Sequence, residues 1–195
     1  MKKEIAAGKS KWLVEPGCVI IGTTGVFEKA NAMTFSWQTP VSSGIPCQIL
    51  LVINPSRYSY ELLKKNGEIV INIPGERLVR EVHLFGSISG REKDKIGESG
   101  LSLERAGRVS PPLIAECPAN LECRLSKVIS IGHHDLLLFE VVRALVEAEV
   151  FDGSAIIPER FKTIHYLGGK KYGVLDRTLE VGEDKSDVKA ASLFL

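Results

Sequence analysis

Twelve consecutive residues, Asn31-Ala-Met-Thr-Phe-Ser-Trp-Gln-Thr-Pro-Val-Ser, constrain this chain more than any other stretch. Their side chains alternate. Ala32, Thr34, Ser36 and Gln38 would share one face of a strand, with Met33, Phe35 and Trp37 on the other. A half-buried strand normally sets charged residues against its apolar ones, because one face meets bulk water. Here the second face is small and polar but uncharged. Such a strip lets something flat approach the backbone, with hydroxyls and amides ready to bond its edges. Two readings fit: a planar ligand lies along the strand, or its small face packs under a loop. The segment taken alone leaves both open.

Composition narrows the class. A chain of 195 residues, 44% hydrophobic and 25% charged, matches a single globular domain with a substantial core. Lys and Arg number 25 against 24 Asp and Glu, a net charge of +1. No global field therefore draws nucleic acid or an anionic membrane, and any phosphate site must be local. Met1 to Trp12 carries four lysines but no apolar core of signal-peptide length. No apolar run reaches the roughly 20 residues that span a bilayer, so a cytoplasmic protein is expected.

Cys117 and Cys123 sit six residues apart in a segment that reads as extended. At about 3.3 Å per residue they would lie roughly 20 Å apart, beyond disulfide reach. Neither CxxC nor another zinc spacing occurs, so no metal site is expected and the thiols read as free and mostly buried.

Along the chain, Gly17 to Thr24 reads as a buried strand, and Gly25 to Ala30 turns into the Asn31 strand. Gln48 to Ile53 is a third strand. A helix follows, capped by Asn54-Pro55 or by Ser59, and ends at Gly67. Glu68 to Ile73 is another strand, and Glu76 to Gly86 an amphipathic helix with Leu78, Val82 and Phe85 on one face. A charged loop then runs to about Gly107. Ala119 to Ile131 and Asp135 to Phe151 read as two long strands, joined by Gly132-His133-His134. Thr163 to Leu167 and Lys170 to Gly173 flank Gly168-Gly169, a hairpin signal. Many strands with few helices predict a mainly β protein, a β-barrel with a few helices, as one domain over 1–195. Its core spans about 17–173, followed by a tail, 174–195, whose last dozen residues are read as docking on a neighbour.

Three polar clusters could carry chemistry. Asn31, Thr34 and Ser36 form the first. Ser56-Arg57-Tyr58-Ser59, at a helix start, offers amides, hydroxyls and a guanidinium to a phosphate, or serves only as a cap. The run Ser87 to Lys95 brings hydroxyls, a glycine and the cations Arg91, Lys93 and Lys95, or is a solvated loop. The chain lacks GxGxxG and GxxxxGK[ST], which excludes the usual Rossmann and Walker-type sites. His133 and His134 read as turn residues, whereas His165 and Tyr172 flank a hairpin and could line a pocket. No Ser-His-Asp or Cys-His order argues for nucleophilic catalysis.

Six segments in order resemble the flavin reductase-like family, whose fold is the FMN-binding split β-barrel, and within it the flavoredoxin branch. They are Asn31 to Trp37, Pro40-Val-Ser42 before Pro46, Lys65 to Pro74, Ser89 to Lys95, Glu116 to Cys123, and His165-Tyr-Leu-Gly-Gly169. One departure is Ser43-Gly-Ile before Pro46, where relatives often carry a second proline. The resemblance implies a homodimer with FMN near the subunit interface. It places Asn31, Met33, Thr34, Ser36 and Trp37 along the isoalloxazine ring, and Arg57, Ser59, Ser89, Gly90, Arg91 and Lys95 at the ribityl phosphate. His165 would face the arriving electron donor, and no catalytic acid or base is obligatory.

The implied activity is an FMN-dependent oxidoreductase that takes hydride from NADH or NADPH and passes electrons to an acceptor. The alternative is an FMN-containing carrier reduced by a partner protein, without a nicotinamide site of its own. A flavin-free binding module on the same barrel is the third possibility. If Arg91 bonds the phosphate, Arg91→Ala should cost about 1.5–3 kcal/mol of FMN binding.

Overall fold

The structure is a computed structural model that describes residues 4–14 and 17–179. The last dozen residues, expected to dock on a neighbour, lie outside the described residues. Chain order is α1 (Lys11–Val14), β1 (Ile20–Thr24), β2 (Asn31–Phe35), β3 (Gln38–Ser42), β4 (Gln48–Ile53), α2 (Tyr58–Asn66) and β5 (Glu68–Ile73). It continues through α3 (Val79–Ser87), α4 (Lys95–Ser99), β6 (Leu103–Glu104), β7 (Leu113–Ile114), β8 (Ala119–Ile131) and β9 (His134–Val146). A hairpin of β10 (Ile164–Gly168) and β11 (Lys171–Val174) follows. No helix among the described residues is long and apolar enough to cross a membrane.

The main sheet has seven antiparallel strands in the order β2-β1-β5-β8-β9-β4-β3. Its two edges, β2 and β3, are neighbours in sequence, separated only by Ser36 and Trp37. In a flat sheet at about 4.8 Å per strand those edges would stand roughly 29 Å apart. Three Cα–Cα steps reach at most about 11 Å. The sheet must therefore curl until its edges meet, and Val52 N–H donates to the Trp37 carbonyl at 3.0 Å, carrying the β3–β4 ladder up to the crossing. This is a split barrel.

The curl corrects the first sequence expectation. The Asn31–Ser42 stretch is not one strand, because Phe35 pairs with Ile20 on β1 whereas Gln38 pairs with Leu51 on β4. Alternation ends at the crossing.

Burial on both faces explains why β1 and β2 carry no charged residue. Ile20, Phe35, Leu51, Ile69, Leu137 and Phe139 pack inside the barrel, with Leu63 from α2. Val19, Ile21 and Ala32 point to the other side, against Val82 and Phe85 of α3 and Ile96 of α4. A polar knot fixes the loop between β7 and β8 to the sheet. Asn72, fully buried, donates to the Ile21 carbonyl at 3.0 Å and accepts from Ile114 N–H and Asn120 Nδ2, each at 2.9 Å.

Other boundaries move for local reasons. Neither proposed residue caps α2: Arg57 occupies the N-cap without a side-chain bond. The Asn54 side chain instead closes a turn by accepting from Ser56 N–H at 2.9 Å. β9 stops at Val146, and a short 3-10 turn, Ala148–Val150, takes the residues expected to extend it. The charged loop before Gly107 contains α4 and β6. The β10–β11 hairpin turns one residue later than expected, around Gly169 and Lys170, with a register shift after Tyr166.

Candidate functional site

β2 forms one wall of a cleft of about 330 Å³, closed by the start of α2, the end of α3 and the turn before α4. All eleven residues assigned by resemblance to a cofactor, from Asn31 to Lys95, line this cleft. They arrive from three separate segments, and the curl of the sheet brings those segments together.

The uncharged face of β2 serves two purposes. Ala32 is fully buried under α3 and α4, and the Thr34 hydroxyl donates to the Val82 carbonyl at 2.6 Å. The small face thus packs beneath a helix rather than a loop. Thr34 and Ser36 also border the cleft, so the two readings of this segment coexist.

Asn31 ties the three segments together. Its Nδ2 donates to Ser59 Oγ at 2.7 Å. A Cβ at Gly90 would stand 2.0 Å from Asn31 Oδ1, so only glycine allows this approach.

The cations differ in their partners. Arg91 bonds the Ser56 carbonyl at 3.0 Å, pairs with Glu61 at 2.9 Å, and lies over the Tyr58 ring at 5.3 Å. Its charge is already answered. Lys95 is 4% exposed, and its Nζ donates to the Phe85 carbonyl at 3.1 Å. Burial, with repulsion from Arg57 second, lowers the Lys95 ammonium to about 8. Among the described residues neither Arg57 nor Lys95 has a carboxylate partner. Two neighbouring cations without a counter-charge leave this end of the cleft with positive charge that an anion would answer.

At the far end, Trp37 is 40% exposed and packs on His134, with ring centroids 5.3 Å apart. The sequence marks His134 only as a turn residue. It reaches the cleft because β9 neighbours β4 next to the closing edge. Tyr58, from the second polar cluster, also lines the cleft, as do Phe85 and Gly86, which carry no sequence signal beyond helix patterning.

A second hollow of about 290 Å³ shares Thr34, Ser36, Arg57 and Gly86 with the cleft. The β10–β11 hairpin closes it with Tyr166 and Tyr172. Tyr172 bonds His83 Nδ1 through its hydroxyl at 3.1 Å and packs on Tyr166 at 5.5 Å. His165 lines neither hollow; its Nε2 contacts Thr163 Oγ1 at 3.2 Å. His165, expected to face an electron donor, thus lies outside both hollows, and its strand neighbour Tyr166 borders the second.

The cysteines are free. Cys117 packs in the outer layer and Cys123 inside the barrel, so the two thiols belong to different cores. Burial pushes both up to about 12, which keeps them protonated and unreactive. Cys18 is half-buried and Cys47 is exposed.

Known proteins are similar to this chain in sequence and in fold. An uncharacterized protein of Archaeoglobus fulgidus is 34% identical over 145 residues, 74% of this chain and 81% of that one. The FMN reductase (NADH) RutF of Pseudomonas syringae is 30% identical over 97 residues, 50% of this chain and 52% of the relative. Among solved structures, an FMN-binding protein from Thermus thermophilus with bound 1-cyclohex-2-enone superposes with a TM-score of 0.80 at 26% identity. It covers 93% of this chain and 100% of that chain. A flavoredoxin from Methanosarcina acetivorans matches the fold with a TM-score of 0.82 at 21% identity, covering 96% and 100%. The flavin reductase like domain model matches residues 14–167, and the chain belongs to that family.

Proposed function

We propose that the cleft holds FMN and that the protein is an oxidoreductase passing electrons from NADH or NADPH through FMN to an acceptor. The observation that carries this reading is the pair Arg57 and Lys95, cations without a carboxylate partner among the described residues at one end of the cleft. A phosphate supplies the missing charge.

The residues present fit the group. Gly90 leaves room beside Asn31 that a Cβ would fill, and the Asn31–Ser59 bond holds a hydroxyl at the same end. Arg57, Lys95, Ser59, Ser89 and Gly90 would hold the phosphate. Asn31, Met33, Thr34, Ser36 and Trp37 would border the ring, where hydroxyls and amides present dipoles to its polar edge. Arg91 contributes less than expected, because Glu61 already engages it. FMN, when bound, supplies the capacity to accept hydride and release electrons.

The hollow at His83, Tyr166 and Tyr172 gives an electron donor a place to approach from the hairpin side. Likeness to an FMN reductase (NADH) supports a nicotinamide as that donor. We also read the protein as a homodimer, with Ile129 at 42% and Ile131 at 57% exposure on β8 as apolar surface for a second copy.

The test is anaerobic mixing of FMN-loaded protein with NADH or NADPH, followed by the flavin absorption. Bleaching with either nucleotide supports the reductase. Bound FMN that neither nucleotide bleaches would discard it in favour of a carrier reduced by a partner protein.

A further inference from the structure

Arg91 bridges the cleft at its charged end. Residues 89–91 form one wall there, and the start of α2 forms the other. From the first wall the guanidinium reaches across. Nη1 donates to the Ser56 carbonyl at 3.0 Å, Nη2 meets Glu61 Oε2 at 2.9 Å, and the group lies 5.3 Å from the centre of the Tyr58 ring. All three partners belong to α2 or to the residues just before it. Among the described residues, no other hydrogen bond or ion pair joins residues 88–94 to residues 54–66.

Depth separates Arg91 from the other groups at this end. Ser59 and Lys95 are buried, whereas the Arg91 side chain is 47% exposed and that of Glu61 63%. The first two lie on the floor, and the Arg91 link crosses nearer to solvent. A phosphate bonded to Ser59 and Lys95 therefore sits beneath the link. A guanidinium beside a phosphate is ordinarily its ligand. Here the planar fork is already occupied by protein groups on the opposite wall, and the link needs no phosphate to form. Glu61 does not line the cleft, so it holds Arg91 without touching what the cleft holds.

We propose that Arg91 is a strap across the phosphate end of the cleft, setting how fast a flavin enters and leaves rather than how tightly it binds. The inference rests on the flavin reading above. Each contact of an exposed guanidinium is weak, but three made together keep the open form to about one molecule in ten. The same contacts close over the site with or without ligand. Entry and exit are therefore slowed alike, and the dissociation constant stays nearly unaltered. A slow exit makes FMN a resident group that serves many turnovers, instead of a substrate that is exchanged at each one.

The experiment is stopped-flow mixing of the full chain with FMN for association, and rapid dilution of the loaded protein for dissociation, both followed by flavin fluorescence. The proteins are the parent, Arg91→Ala and Glu61→Gln. Arg91→Ala should raise both rates about tenfold and leave the dissociation constant within about fivefold. Glu61→Gln loosens the strap while keeping the guanidinium, and should raise both rates about threefold. Faster dissociation of Arg91→Ala at an unchanged association rate would overturn the strap, because that pattern belongs to a lost phosphate contact. Tighter FMN binding by Glu61→Gln would overturn it too, since Arg91 would then be a ligand that Glu61 holds back. Rates indifferent to both substitutions would equally contradict it. Failure of the parent to bind FMN at all would overturn the flavin reading and this inference with it.

Discussion

Two polar regions of this molecule are built to opposite ends. At Asn72 the side chain meets only protein: the Ile21 carbonyl, Ile114 N–H and Asn120 close its hydrogen bonds in a fully buried setting. At Lys95 an ammonium almost as buried meets one carbonyl and the repulsion of Arg57. A buried polar group whose bonds are complete fixes architecture. One left with excess charge costs stability until a ligand answers it. The contrast supports the proposed site independently of any relative.

Substitution should separate the two regions. Asn72→Ala removes the knot and leaves several partners unsatisfied, at a cost of about 3 kcal/mol. For a chain of this length that lowers Tm by roughly 6–12 °C, read by thermal unfolding, while flavin affinity per folded molecule is unchanged. Lys95→Met should reverse the pattern. FMN binding weakens about a hundredfold, near 2.8 kcal/mol, while the flavin-free protein keeps or gains stability because a desolvated charge is gone.

The pH dependence of binding follows from the same lysine. Its folded value, about 8, lies below the ordinary lysine value, so the neutral form is favoured earlier than in the unfolded chain. Flavin-free stability therefore rises as pH climbs from about 8 towards the ordinary value, and is lower below 8. Binding of a phosphate needs the charged form. FMN affinity should hold steady between about pH 7 and 8, where the phosphate is already dianionic, and fall by up to tenfold per unit above 8. Calorimetry across that range should detect proton uptake on binding above pH 8. The smallest effect belongs to Arg91→Ala. The exposed pair with Glu61 makes the loss under about 1 kcal/mol, less than the sequence alone implied.

Most of the cleft was legible because its residues lie in short, chemically marked runs. Asn31 to Trp37, Ser56 to Ser59 and Ser89 to Lys95 each carry small polar or cationic side chains at a strand or a turn. Their convergence came only from the family resemblance, since residue patterning alone does not give strand order. The crossing at Ser36–Trp37 was hidden because Gln38 to Ser42 continues the same alternation on the opposite edge of the sheet. His134 gave no signal, because only the β9–β4–β3 neighbourhood brings it to Trp37. The two-residue strands β6 and β7 and the five-residue α4 are too short for any periodicity to mark them. The strand position of His165 was read correctly, yet Tyr166, with Tyr172 and His83, lines the hollow. Side-chain direction at a bulged hairpin is not set by spacing alone.

The central claim is that Arg57 and Lys95 await a phosphate, and the most direct test is to compare FMN with riboflavin. The two share the ring and the ribityl chain and differ only in that group. Titration of the parent protein at pH 7.5, followed by flavin fluorescence, should show FMN binding about a hundredfold more tightly than riboflavin. Equal affinities would mean that these cations serve the fold or another anion, and would contradict the assignment of the cleft.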